Sequence, residues 1–151
     1  MKKLIQIITL TLVLLSLAGC GQKKATWESD DDTGKMTVTT YLKRESNIDY
    51  VENVEIKFYK KNDSSIFKEL REELETEEKK EEFLDTLNTN FGYTDKDIKI
   101  KAKKDVISIK TTNGYVNPNL LNAISITDYL TEPITLTSFQ EALQDNFKRI
   151  D

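Results

Sequence analysis

The sequence predicts an α+β protein, an antiparallel sheet of four to five strands with helices packed on one face. Two observations support this class. Several segments alternate between polar and apolar residues, which is typical of strands with one buried face. Other segments carry apolar residues every three or four positions, which is typical of amphipathic helices. The order of these segments is strands, a helical region, a hairpin and further helices, and it favours helices gathered against one sheet.

The first predicted strands lie in the first half of the chain. Three segments alternate in polarity there: residues 26–29, 35–44 and 50–60. In the third segment Val54, Ile56 and Phe58 share one face, as a period of two requires. The turns between these strands are predicted by residues 30–34, which are three aspartates followed by Thr33 and Gly34, and by the pair at residues 46–47.

A helical region and a second hairpin follow. Residues 62–65 supply side chains suited to a helix N-cap, and apolar residues then recur at helical spacing over residues 65–89. Residues 75–82 contain no apolar side chain, so the helix is expected either to break near Thr76 or to project this turn into water. The second hairpin is predicted from two alternating segments: residues 97–103 and 106–111.

Two helices are predicted after this hairpin. Pro118 suits the first turn of a short helix that reaches Ile124. Residues 137–150 predict the clearest helix of the chain, with Thr137 and Gln140 as its capping box. Its buried stripe is expected to consist of Phe139, Leu143, Phe147 and Ile150.

Composition limits the possible functions. The 151 residues include 22 basic and 26 acidic side chains, a net charge of −4, with one cysteine and no histidine. A negative surface repels nucleic acid, so nucleic acid is not expected among the partners. The commonest zinc ligand is absent and no thiolate cluster is possible. We therefore expect neither a metal nor a cofactor.

The N-terminal residues have the layout of a secretory signal. Lys2 and Lys3 form a basic segment, residues 4–17 are almost purely aliphatic, and the small residues Ala18 and Gly19 follow. The aliphatic segment has 14 residues, fewer than the roughly 18 that a membrane-spanning helix needs. An uncleaved membrane anchor is the alternative interpretation.

Residues 17–20, Leu-Ala-Gly-Cys, resemble the lipobox of bacterial lipoproteins. The resemblance implies cleavage between Gly19 and Cys20, removal of residues 1–19, and a diacylglyceryl group on the Cys20 thiol. Two or more acyl chains anchor a protein stably, at about 0.8 kcal/mol per buried CH₂. Residues 20–25 would then form a short lipidated tether on the extracytoplasmic face of the cell membrane.

The remaining chain, residues 26–151, is expected to form a single domain and resembles the YehR-type lipoproteins. These are small bacterial lipoproteins of unassigned activity. The likeness lies in the order of the elements, in the hairpin sequence IKIKAKKDVISIK, in NPNLLNAIS and in the amphipathic C-terminal segment. It implies an α+β fold, but it includes no signature residues and therefore implies no mechanism.

Three patterns suggest chemistry, and each has a simpler structural interpretation. Ser65 and Lys68 have the S-x-x-K spacing of penicillin-interacting enzymes, but the companion motifs are absent and Ser65 suits an N-cap. The aspartates at residues 30–32 suit a hard cation, but Gly34 breaks the calcium-loop spacing. Six aromatic residues are candidates for a sugar- or peptide-binding face: Trp27, Tyr41, Tyr50, Tyr59, Tyr93 and Tyr115.

These observations lead us to expect a membrane-anchored binding or interaction module of the cell envelope, and not an enzyme. The expected partners are the membrane, through the lipid on Cys20, and an envelope protein or a cell-wall ligand. One alternative is a small envelope enzyme that uses carboxylate, tyrosine or lysine chemistry. Another is a purely structural lipoprotein.

A Cys20→Ser variant is expected to lose its membrane attachment, because the thiol that accepts the lipid is gone. Cell fractionation and immunoblotting should find the unprocessed precursor, or protein in the medium, in place of the mature membrane form. A Ser16→Ala variant, which keeps residues 17–20 intact, is the matched control. A mature, membrane-bound Cys20→Ser protein would contradict the lipobox assignment.

Overall fold

The computed structural model describes residues 22–32, 34–61 and 64–151. The predicted signal peptide of residues 1–19, with Gly19 at its cleavage site, and the lipidation site Cys20 lie outside the described residues. The same holds for three residues of the predicted turn and helix cap: Thr33, Asn62 and Asp63. Among the described residues, no helix has both the length and the apolar character needed to cross a bilayer.

Six strands and four helices make up the described part of the chain. The strands are β1 (Lys24–Asp31), β2 (Gly34–Glu45), β3 (Ile48–Tyr59), β4 (Ile98–Ala102), β5 (Val106–Thr111) and β6 (Lys148–Arg149). The helices are α1 (Ser65–Glu73), α2 (Glu77–Phe91), α3 (Pro118–Ala123) and α4 (Leu136–Ala142). All neighbouring strands are antiparallel, in the order β4-β5-β3-β2-β1-β6. This confirms the α+β class.

One face of the sheet forms the core. Trp27 on β1 pairs with Val38 on β2, which pairs with Ile56 on β3, and all three side chains are buried. Phe67 from α1 and Phe139 from α4 belong to the same buried cluster. The residues that alternate with this row are mostly Thr, Tyr, Glu and Lys, so the opposite face of the sheet is polar.

The charged region between the first two helices contains a true break. The helix α1 ends at Glu73, and the Thr76 hydroxyl caps α2 by accepting a hydrogen bond from the Lys79 N–H at 3.2 Å. Gly92 ends α2 with a left-handed φ of +73°. Of the two alternatives left by the sequence, the break near Thr76 is therefore confirmed.

The last helix begins earlier than predicted. The Thr135 hydroxyl accepts a hydrogen bond from the Ser138 N–H at 3.0 Å, and the Ser138 hydroxyl accepts one from the Thr135 N–H at 2.9 Å. This reciprocal pair is the capping box of α4. The predicted box at Thr137 and Gln140 is wrong, because serine takes the position that Glu or Gln usually fills.

The last helix also ends earlier than predicted, at Ala142, so the helix predicted over residues 137–150 is wrong in its second half. Leu143 has an extended backbone and forms an isolated β-bridge with Thr127. The chain then adds β6 to the edge of β1, and Ile150 lies in this extended segment with 55% of its surface exposed. Hydrogen bonding to a sheet edge overrides the helical period and adds a sixth strand to the four or five expected.

The two ends of the predicted C-terminal stripe should differ in their effect on stability. Phe139 is fully buried, with its ring centre 5.3 Å from that of Trp27, so Phe139→Ala is expected to cost about 3–5 kcal/mol. Ile150→Ala is the control and should change the free energy of unfolding by no more than about 0.5 kcal/mol. Urea denaturation of both variants measures these values. Equal losses would contradict the observed end of α4.

Candidate functional site

The sheet has two different ends. Lys24, the first residue of β1, pairs with Tyr41, and Asp31, its last residue, pairs with Gly34. The chain enters the sheet at the end where the β2–β3 hairpin turns, which we call the tether end. The β1–β2 and β4–β5 turns lie at the opposite end, which we call the distal end. The candidate binding features are at the distal end.

A cleft of about 250 Å³, here called the distal cleft, opens at this end of the sheet. Its apolar lining consists of Met36, Phe58, Ile66, Phe67, Ile124 and Phe147. A polar corner is formed by the Asn146 side-chain amide, which donates to the Ser29 hydroxyl at 2.9 Å and to the Asp31 carboxylate at 3.1 Å. The cleft therefore combines an apolar wall with a fixed hydrogen-bonding corner.

Gly34 allows the strands and the first helix to approach at the cleft. A Cβ on this residue would lie 2.7 Å from the Ser64 hydroxyl oxygen, and its φ of +154° is unfavourable for other residues. Ser64 in turn caps α1, accepting a hydrogen bond from the Phe67 N–H at 3.4 Å. The lining of the cleft thus comes in part from β2 and α1, whose close approach depends on the absence of a side chain at Gly34.

A wider depression of about 690 Å³ adjoins the cleft and shares Ser64 and Phe67 with it. Five basic side chains line this depression, which we call the basic groove: Lys60, Lys61, Lys68, Arg71 and Lys104. Glu72 is the one acidic residue among its described lining residues. Arg71 donates a hydrogen bond to the Lys103 carbonyl at 3.0 Å, which ties α1 to the β4–β5 turn. The lining of this groove is therefore mainly basic, and one of its cations, Lys61, forms an ion pair with Asp30 at the neighbouring end of β1.

A third arrangement lies on the polar face of the sheet. The Glu55 carboxylate accepts hydrogen bonds from the hydroxyls of Tyr41 and Ser108, each at 2.8 Å. Lys110 Nζ lies 3.6 Å from the centre of the Tyr41 ring, and Lys57 Nζ lies 3.7 Å from the Glu55 carboxylate. This Glu55 cluster brings together the carboxylate, tyrosine and lysine groups that the enzyme alternative requires.

The pKa directions in the Glu55 cluster favour a structural role. Burial acts to raise the pKa of Glu55, but hydrogen bonds from Ser108 and Tyr41 and nearby lysines outweigh it, so the pKa is lowered. Burial and the bond to Glu55 raise the pKa of Tyr41 to about 12. A carboxylate base working near neutral pH needs a raised pKa, and an activated tyrosine needs a lowered one.

The residues singled out in the sequence do not form one site. Ser65 is exposed while Ser64 is the cap of α1, and Lys68 lines the basic groove. Trp27 is buried against the core, whereas Tyr41 is on the polar face of the sheet. The six aromatic residues therefore do not share a face. Across the described residues, no cluster of three or more potential metal ligands occurs.

The distal cleft was not predicted from the sequence. Ser29 and Asn146 are far apart in the chain, and β6 brings them together only because the C-terminal segment is not a helix. One signal was present. Ser29 continues the buried alternation of Ala25 and Trp27, and a polar residue in an apolar row indicates a buried hydrogen bond.

Comparison with known proteins adds no assignment to this geometry. No protein-family model, no curated protein and no solved structure matches the chain. The resemblance to YehR-type lipoproteins therefore stays a prediction.

The raised pKa of Tyr41 predicts a loss of stability at alkaline pH. Its contribution is complete below the ordinary value of 10 and is lost as the pH rises toward 12, because the folded state holds the proton more tightly. Tyr41→Phe should therefore reduce the fall in unfolding free energy between pH 10 and 12. Part of this fall should remain in the Tyr41→Phe variant, because burial also raises the pKa of Tyr93 to about 12.

Urea denaturation across this pH range measures the effect. The matched control is Tyr129→Phe, because the Tyr129 side chain is 94% exposed and its removal should leave the wild-type pH dependence in place. Identical curves for Tyr41→Phe and the wild-type protein would contradict the assignment.

Proposed function

We propose that this protein is a lipid-anchored interaction module of the bacterial cell envelope that binds its partner at the distal end. The proposal includes cleavage after Gly19, acylation of Cys20 and a location on the extracytoplasmic face of the cell membrane. The observation that carries it is the placement of the distal cleft and the basic groove at the end of β1 opposite to Lys24. Eight residues at roughly 3.3 Å each separate these ends.

The two neighbouring features define the kind of partner. The cleft of about 250 Å³ is smaller than the roughly 300–1,000 Å³ of typical small-molecule sites, so it suits a single side chain. The basic groove is complementary to carboxylates. A protein segment with acidic residues beside an apolar one supplies both groups, whereas a charged wall polymer supplies only the charge. We therefore favour another envelope protein over a cell-wall ligand.

The enzyme hypothesis has its own location on the molecule. A small envelope enzyme using carboxylate, tyrosine or lysine chemistry would be centred on the Glu55 cluster, where these groups are in contact. Labelling of Tyr41 by a tyrosine-reactive sulfonyl fluoride, abolished in Tyr41→Phe and weakened in Glu55→Gln, would favour it. The lowered pKa of Glu55 counts against its use as a general base near neutral pH.

A photoreactive amino acid in the distal cleft should capture the partner in intact cells. Residue 124 lines the cleft and is 38% exposed, so benzoylphenylalanine at this position is expected to form one specific adduct. The same probe at residue 129, which is more exposed but does not line the cleft, is the control. The double variant with Lys68→Glu and Lys104→Glu should reduce the yield of the adduct about tenfold, because the new carboxylates repel the acidic groups expected on the partner.

Equal adducts at residues 124 and 129, or an adduct unaffected by the charge reversal, would contradict a protein partner at the distal end. Binding of purified wall polymer that requires Lys68 and Lys104 would instead identify a cell-wall ligand. Both experiments use the anchored, full-length product.

A further inference from the structure

The β2–β3 hairpin extends beyond the point where the chain enters the sheet. We propose that the tip of this hairpin, residues 43–48, contacts the phospholipid headgroups and holds the domain upright on the bilayer. This inference rests on the proposed function, because it requires an acylated Cys20. It assigns a membrane-contact surface to the end of the molecule opposite to the distal cleft.

The chain ahead of β1 is fastened to the side of the hairpin. The Leu42 N–H donates to the Lys23 carbonyl at 2.8 Å, which continues the ladder between β1 and β2 by one residue. The Lys23 ammonium also pairs with Asp49 on β3. These contacts fix the position of Lys23 relative to the hairpin, so only the residues before it set the distance to the lipid.

The length of that connection matches the overhang of the hairpin. Cys20 lies three residues before Lys23, so the two Cα atoms are at most about 11 Å apart. From Leu42, which is level with Lys23, the hairpin continues for three residues to Glu45, which extends it by about 10 Å. When the strands stand along the bilayer normal, the hairpin tip therefore reaches the depth of the acylated residue.

The turn at the tip is narrow and exposed. Ser46 and Asn47 both have positive φ, 48° and 68°, which is the conformation of a tight two-residue hairpin turn. Two large apolar side chains on this side of the molecule are partly exposed: Ile48 at the tip, at 44%, and Tyr115, which lies beside Tyr50, at 41%. Side chains of this kind are stabilised at a membrane–water interface.

Charge at the tip does not restrict the contact to anionic lipids. Lys43 pairs with Glu45 at 2.6 Å, and Arg44 lies 3.7 Å from Asp49. The cations of the hairpin are thus balanced by neighbouring carboxylates. We therefore expect the contact to form on zwitterionic phosphatidylcholine and to persist at high salt.

Tryptophan fluorescence can test this contact. Trp27 is the one tryptophan of the chain and is buried, so the wild-type protein provides a shielded background. Ile48→Trp adds a second tryptophan at the tip, and Lys104→Trp adds one at the distal end as the matched control. The proteins are purified from membranes, checked for acyl chains by mass spectrometry, and reconstituted into phosphatidylcholine vesicles with nitroxide-labelled headgroups.

The added emission of Ile48→Trp is expected to be lost to the nitroxide, while that of Lys104→Trp is retained. Lys43→Trp is a second probe of the tip if Ile48→Trp fails to fold by circular dichroism. Absence of quenching at the tip, or equal quenching at both ends, in acylated protein would overturn the membrane contact while leaving the anchor in place. Absence of acyl chains on Cys20 would instead overturn the proposed function.

Discussion

The antiparallel register between β1 and β2 is the constraint on which the other features depend. Because Lys24 pairs with Tyr41 and Asp31 with Gly34, the first strand runs from one end of the sheet to the other. Lys24, where the proposed tether would join the sheet, and the distal cleft are therefore separated by the length of a strand. A shift of this register by one residue would turn the buried Trp27 to the polar face, so the apolar core fixes the register and with it the position of the site.

The same register places a core residue and a residue of the candidate site on one face of β1. Trp27 packs against Phe139, and two residues further along the same face Ser29 contacts Asn146 in the polar corner of the cleft. The edge strand β6 holds the segment that carries Asn146. The cleft is therefore a continuation of the core, with polar groups at one corner.

Most of the fold was predictable because its signals are local. The alternation in β2 and β3 depends on neighbouring residues, and so do the two alternatives for residues 75–82, between which the sequence did not decide. The C-terminal segment was not predictable in this way, because its apolar spacing suits a helix while the open edge of β1 selects a strand. The cleft was missed for the same reason. Its residues converge only after β6 is in place, whereas the lipobox pattern is contiguous and visible in the sequence alone.

In the proposed orientation the distal cleft faces away from the bilayer, and this orientation can be tested by measuring the height of the distal end above the membrane. Energy transfer from a donor at residue 104, and separately from one at residue 48, to acceptor lipids measures this height in the anchored protein. We expect residue 104 to lie roughly 35–40 Å farther from the bilayer, the length of the 12-residue β3. Equal heights for the two positions would contradict the proposed orientation.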